Sequence, residues 1–237
     1  MKLSAPIYRL KRRARILSRK EDIPLHEALD RIAREEGVDS WSLLANRAST
    51  HQPGKALVAE LKPGDLVLLG ARPGHGKTLL GLELAVEAMK TGRRGAFFTL
   101  EYNETDIVKS FAAIGENPET FRDRFDFDDS DDISAHYIID RLGSAPHGTV
   151  VVIDYLQLLD QKRQNPDLMA QVKALKVFAQ ERGVIIVFIS QIHRRYDPTE
   201  RPFPGLVDVR LPNPLDLTLF DKACFLNDGD ISVAAVG

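Results

Sequence analysis

Nine consecutive residues carry the clearest chemistry in the chain: Ala71, Arg72, Pro73, Gly74, His75, Gly76, Lys77, Thr78 and Leu79. Ala71, four residues, then Gly76-Lys77-Thr78 is the Walker A spacing with alanine in the first place. A triphosphate tail concentrates several negative charges in a small volume. Backbone N–H groups can surround it only where no Cβ intrudes, which Gly74 and Gly76 permit. A helix starting at Lys77 would aim its unsatisfied amides and the positive end of its dipole at the phosphates. Lys77 then supplies a point charge to the β- and γ-phosphates, and the Thr78 hydroxyl a ligand for magnesium. His75 either touches phosphate or is simply tolerated in the loop. The pattern implies that ATP is bound with Mg2+ and hydrolysed.

Other polar residues end apolar runs. Thr149-Val150-Val151-Val152-Ile153 leads to Asp154, where a carboxylate can orient the magnesium water shell beside Thr78. Glu101 follows the run Gly95–Leu100 and could activate a water molecule as general base. Because Asn103-Glu104-Thr105-Asp106 comes next, it could equally be an ordinary acid at a helix start, and residue types leave both open. Gln191 follows Val184–Ile189 and Ser190; it either senses the γ-phosphate by hydrogen bond or is a plain polar strand end. The acidic run Asp126–Asp132 reads as a solvated loop or edge strand in preference to a metal site, because aspartates in a row need a turn to converge on one ion.

These residues need a scaffold to hold them. The continuous apolar runs, separated by helical stretches, indicate a parallel sheet covered on both faces. Ala223–Leu226 and Ile231–Val236 are candidates to close it. Strand C-termini line the ligand crevice of such a sheet, which is where Asp154, Glu101 and Gln191 fall. The expected class is α/β: a mostly parallel central sheet flanked by helices, plus a small N-terminal helical module. That module covers residues 1–48, with Leu10, Ala14 and Leu17 on one face, then Leu25, Ala28, Leu29 and Ile32 after a break at Pro24. Gly37 suits a helix C-cap and Ser40 an N-cap. A linker at Ser49–Gly54 leads into the larger domain, residues 55–237.

The 237 residues carry a net charge of −2, which argues against a wholesale polyanion binder but leaves local patches open. A single cysteine, Cys224, excludes an internal disulfide and a cysteine-based zinc site. With no apolar run near the ~20 residues needed to span a bilayer, a cytoplasmic protein without membrane contact is expected. Eight basic residues from Lys2 to Lys20 precede the first acid. They read as a basic amphipathic helix in preference to a targeting presequence.

In combination these residues resemble the C-terminal, RecA-like ATPase domain of DnaB-type replicative DNA helicases. Leu61-Lys62-Pro63-Gly64-Asp65-Leu66, leading into Ala71–Thr78, is similar to that family's P-loop region. Phe98-Thr99-Leu100-Glu101 is similar to its catalytic-glutamate motif, and Val152-Ile153-Asp154-Tyr155-Leu156-Gln157-Leu158 to its Walker B segment. Val172-Lys173-Ala174-Leu175-Lys176 resembles the helix that follows, and Ile189-Ser190-Gln191-Ile192-His193-Arg194 the nucleotide-sensing motif that leads into a DNA-contacting loop. The resemblance covers about Leu61 to Leu226. It implies that Glu101 is the catalytic base, that Gln191 senses the γ-phosphate, and that the protein is a homo-oligomer, a hexamer in the family, acting on single-stranded DNA.

Two departures matter. Nothing here resembles the family's N-terminal collar domain. The family's Lys-x-Arg pair, which reaches a neighbour's ATP as an arginine finger, has no counterpart after Lys222; Arg194, Arg195, Arg201 or Arg210 would have to substitute. Arg194, Arg195 and Arg201, with Tyr196 among them, suit a single-stranded backbone and a stacked base, and the N-terminal basic run could add phosphate contacts. The expectation is therefore an ATP-hydrolysing DNA helicase or translocase. The alternative is an ATPase switch or loader without processive unwinding. A P-loop kinase is a third reading, disfavoured because Glu101 suits water activation and no arginine-bearing lid is evident.

Overall fold

A computed structural model describes residues 4–5, 7–44, 53–160, 165–211, 213–227 and 230–236. Two compact units divide the chain, Met1–Pro53 and Gly54–Gly237.

In the first unit, helices α1 (Ile7–Glu21) and α2 (Leu25–Glu35) form a hairpin, followed by a helical turn over 41–44. Leu10, Ala14, Ala28, Ile32, Val38 and Leu44 make its core. Leu25, expected on the apolar face, is exposed because it opens α2 directly after Pro24. Gly37 turns the chain at φ 76, and the Ser40 hydroxyl accepts the Leu43 N–H at 3.4 Å.

Helix α3 (Pro53–Glu60) begins where a linker was expected, and all but its first residue belong to the second unit. Proline is favourable in a first helical turn, where its missing N–H costs no hydrogen bond. Residues 49–52 of that linker lie outside the described residues. The sheet holds β1 (Leu66–Ala71), β2 (Gly95–Thr99), β3 (Phe125–Asp128), β4 (Val150–Asp154), β5 (Ile185–Gln191), β6 (Lys222–Asn227) and β7 (Asp230–Ala235). Their order is β3-β2-β4-β5-β1-β6-β7, parallel throughout except for β6–β7. The long helices are α4 (Lys77–Lys90), α5 (Glu104–Ala113) and α7 (Leu168–Arg182); α6 (Ala135–Arg141) is shorter.

Alternation along the strands divides the core. Val67, Leu69, Phe97, Val152 and Ile189 join a layer with α4, whereas Leu68, Phe98, Ile153 and Phe188 join a layer with α7. Burial on both faces explains the unbroken apolar runs. Helix α4 rides close to the sheet at Gly81, where an added Cβ would lie 2.8 Å from Ile189 and 3.0 Å from Val152. Glu83 of α4 is largely buried, accepts the Gly54 N–H at 3.3 Å, and has its carboxyl pushed up to about 7 by burial.

The acidic run begins as an edge strand. Asp126 pairs with Arg94 at 2.9 Å, and Asp128 accepts from the Tyr137 hydroxyl at 2.9 Å. Among the described residues, no group of three or more His, Cys, Asp or Glu could hold a metal ion, and no helix is long and apolar enough to cross a membrane.

Candidate nucleotide site

Strand β1 and helix α4 hold the phosphate loop between them. Gly74 and Gly76 have φ of 80 and 87, values that a Cβ would strain. Gly76 caps α4 without a side-chain hydrogen bond, and the first turn of α4 contains no acid. The helix therefore begins with open amides and nothing to repel an anion.

Register brings the other residues to the same edge. Gly70 lies opposite Ser190 and Ala71 opposite Gln191, while Asp154 lies between Thr99 and Ile189. Lys77 and Thr78 are buried, and Lys77 Nζ stands 4.0 Å from Asp154 Oδ1. Asp154 is wholly buried and neither carboxylate oxygen has a hydrogen-bond partner. Burial pushes its carboxyl up; the Lys77 charge and the Thr78 hydroxyl oppose that, and the Glu101 charge adds to it. A buried carboxylate with empty lone pairs is costly unless something else satisfies it. A hydrated divalent cation beside the Thr78 hydroxyl fits that requirement, so the donor set suits magnesium. The Asp154–Tyr155 peptide bond is cis.

Glu101 lies two residues beyond the end of β2, exposed at the rim, in a bend set by its N–H donating to Thr99 Oγ1 at 3.0 Å. Strand β5 runs two residues past its expected end, so Gln191 belongs to the strand and is half-buried. Ser190 Oγ is buried and has no hydrogen-bond partner. Of the loop residues, Ala71 is buried, Arg72, His75, Gly76 and Leu79 are half-buried, and Pro73 and Gly74 are exposed.

Sequence reasoning missed Tyr102. Burial pushes its hydroxyl up, the Thr78 hydroxyl opposes this, and the charges of Asp154 and Glu101 add to it. Its position directly after Glu101 was the one available signal.

After β5 the chain makes an excursion and returns. Ile192 bridges to Val209, and His193 N–H donates to the Asp208 carbonyl at 2.8 Å. Arg210 is gripped from two sides: its N–H donates to the Gln191 carbonyl at 2.8 Å, and its carbonyl accepts from Gln157 Nε2 at 2.7 Å. Arg194 and Arg195 are exposed. Tyr196, expected to offer a ring to a base, is 2% exposed and donates to the Arg201 carbonyl at 2.8 Å. The Arg201 guanidinium lies 5.6 Å from the Tyr196 ring centre and 2.9 Å from Asp208. Burial pushes the Asp208 carboxyl up, but the Gly205 N–H and Arg201 outweigh it and hold the group below its ordinary value. Tyr196 thus braces the excursion from inside, and the exposed Arg201 ties it together at the surface through Asp208.

Known proteins are similar to this chain in sequence and in fold. The family model for the KaiC ATPase matches residues 59–205. A probable plasmid replicative DNA helicase of Chlamydia trachomatis is 28% identical over 181 residues, covering 63% of this chain and 40% of the relative. The replicative helicase DnaB of Synechocystis is 26% identical over 213 residues, covering 77% and 23%. The chain spans less than half the length of these curated relatives. Among solved structures, a DnaB-like replicative helicase, determined with its interactions with primase, superposes with a TM-score of 0.58 at 20% identity, covering 73% of this chain and 54% of that one. A KaiC-like protein of Pyrococcus horikoshii gives 0.52 at 20% identity, covering 68% and 70%. The fold is that of RecA-like ATPase domains, and the resemblance to the DnaB-type ATPase domain is borne out. With more than half its length matched by one family model, the chain belongs to the KaiC ATPase family.

Proposed function

We propose that this protein hydrolyses ATP and couples that to DNA, as a DnaB-like helicase or translocase. The observation that carries the reading is the Lys77–Asp154 contact, in which a buried carboxylate with two unpartnered oxygens faces the phosphate loop. Lys77 holds the β- and γ-phosphates. Thr78 and the water shell oriented by Asp154 would hold magnesium, which when bound offsets phosphate charge. Glu101 accepts the proton of the attacking water, and the rim position of its carboxylate suits that role. Gln191 hydrogen-bonds the γ-phosphate at the end of β5. Ala71–Leu79 enclose the polyphosphate. Arg194 and Arg195 take single-stranded DNA phosphates, and a homo-oligomer, a hexamer on the DnaB pattern, places neighbouring sites together. The single cysteine, buried and free, suits a reducing cytoplasm.

The buried Tyr196 and the Asp208-paired Arg201 favour a second reading, a switch or loader without processive unwinding, because an aromatic is removed from the DNA face and an exposed cation there is already neutralised. ATPase rate against added single-stranded DNA, with strand displacement and oligomer mass measured alongside, tests both. Severalfold stimulation with displacement supports the helicase, and stimulation without displacement supports the switch. No ATPase turnover with or without DNA would falsify both.

A further inference from the structure

The first 53 residues carry eleven Lys and Arg against seven Asp and Glu, in a chain whose overall charge is −2. Such asymmetry is a mark of polyanion-binding segments. Leu10 and Ala14 turn one side of α1 into the core of its unit. At about 100° per residue, Lys11, Arg12, Arg15 and Arg19 fan over roughly 100° of the opposite side, and all four are exposed. Lys11, Arg15 and Arg19 repeat every fourth residue, about 6 Å of helix rise apart. Five of the seven acids of the same unit are engaged elsewhere. Glu35 and Glu36 face Arg13, Glu21 and Glu27 face Arg31, and Asp30 accepts the Trp41 N–H. None of the four cations has an ion pair among the described residues.

We propose that this face of α1 binds the phosphate backbone of duplex DNA, independently of sequence and of nucleotide. An interfacial membrane helix must insert an apolar face, but that face of α1 is buried, and among its described residues Ile16 is the one large apolar side chain left exposed. A single-strand platform stacks successive bases on several aromatic rings, and the sequence of α1 holds one aromatic residue, Tyr8. A rigid row of charges suits the regular phosphates of a duplex.

The test uses the full chain without nucleotide and a labelled duplex, a single strand of equal length, and phosphatidylserine vesicles. Each phosphate contact contributes about −0.9 to the slope of log K against log salt. Lys11→Gln, Arg12→Gln, Arg15→Gln and Arg19→Gln together should therefore flatten the slope by about 3.6. At near-physiological salt the same variant should bind duplex at least ~10-fold more weakly. Arg12→Gln with Arg19→Gln should produce about half of that slope change. Lys11→Arg, Arg12→Lys, Arg15→Lys and Arg19→Lys together should bind duplex about as tightly as the native chain. Native affinity and slope in the four-glutamine variant overturn the proposal, as does loss of binding in the charge-preserving variant. Vesicle or single-strand binding as tight as duplex binding, and lost in the same variant, also overturns it in favour of that ligand.

Discussion

Lys77 Nζ and Asp154 Oδ1 stand 4.0 Å apart across the mouth of the sheet, both side chains buried. Without nucleotide, the ammonium is the charge that offsets a desolvated carboxylate. Phosphates would draw Lys77 away, and a hydrated cation would then take its place beside Asp154. The pair therefore holds the position of a site that exchanges partners on binding.

Replacing Lys77 with alanine removes the phosphate charge and leaves Asp154 without that counter-charge. Affinity for magnesium-ATP should fall by ~10²-fold or more, as loss of charge-assisted bonds implies. Titration calorimetry reads it directly, and unchanged binding heat would contradict the phosphate cradle.

Glu101→Gln keeps the shape of the rim but not its basicity. Dissociation constants for ATP should stay within about threefold, while kcat drops by ~10²-fold or more. A variant that turns over at the native rate has another base.

The excursion after β5 predicts a contrast among its arginines. Arg194→Ala with Arg195→Ala should leave thermal stability unchanged but flatten the salt dependence of single-strand binding by about 1.4, at about 0.7 per contact. Arg201→Ala should instead lower Tm, because Asp208 loses its ion pair and Tyr196 its cation. If Arg201→Ala is thermally silent and weakens DNA binding, the assignment is reversed.

Glu83 sets a pH dependence of stability. Its folded value of about 7 lies above the ordinary 4.5, so the folded state holds the proton more tightly than the unfolded chain. Stability from this group is greatest below pH 4.5 and is lost as pH rises towards 7. Glu83→Gln, neutral throughout, should be more stable than the native chain at pH 8 by roughly 1–3 kcal/mol. The two should converge near pH 4.5. An advantage that does not change with pH would remove the carboxyl from the explanation.

Local signals made much of the site readable in the sequence. The phosphate loop announces itself because glycine, lysine and threonine are needed within a few residues, between an apolar strand and a helix. Asp154 follows the same logic, since a charged residue at the end of a doubly buried strand must face the crevice. Gln191 and Glu101 could be placed at strand ends, yet strand length was off by one or two residues, because ladder pairing with β1 and the Thr99–Glu101 turn decide where β5 and β2 stop. The burial of Tyr196 and the pairing of Arg201 with Asp208 could not be read from the sequence. Whether an aromatic beside arginines faces solvent or braces a loop depends on Asp208, seven residues beyond Arg201, folding back to meet it. The same holds for Glu83, whose burial depends on a helix beginning at Pro53 that proline and glycine made look like a linker.

Gln191 and Gln157 both fasten the Arg210 peptide, one by its N–H and the other by its carbonyl. Residues 192–209 are therefore a handle whose far end is bolted to β5 at Gln191 and to the helical turn after β4 at Gln157. Any shift that separates that turn from β5 must strip one bolt or carry the handle along, so motion at this edge of the sheet cannot stay there.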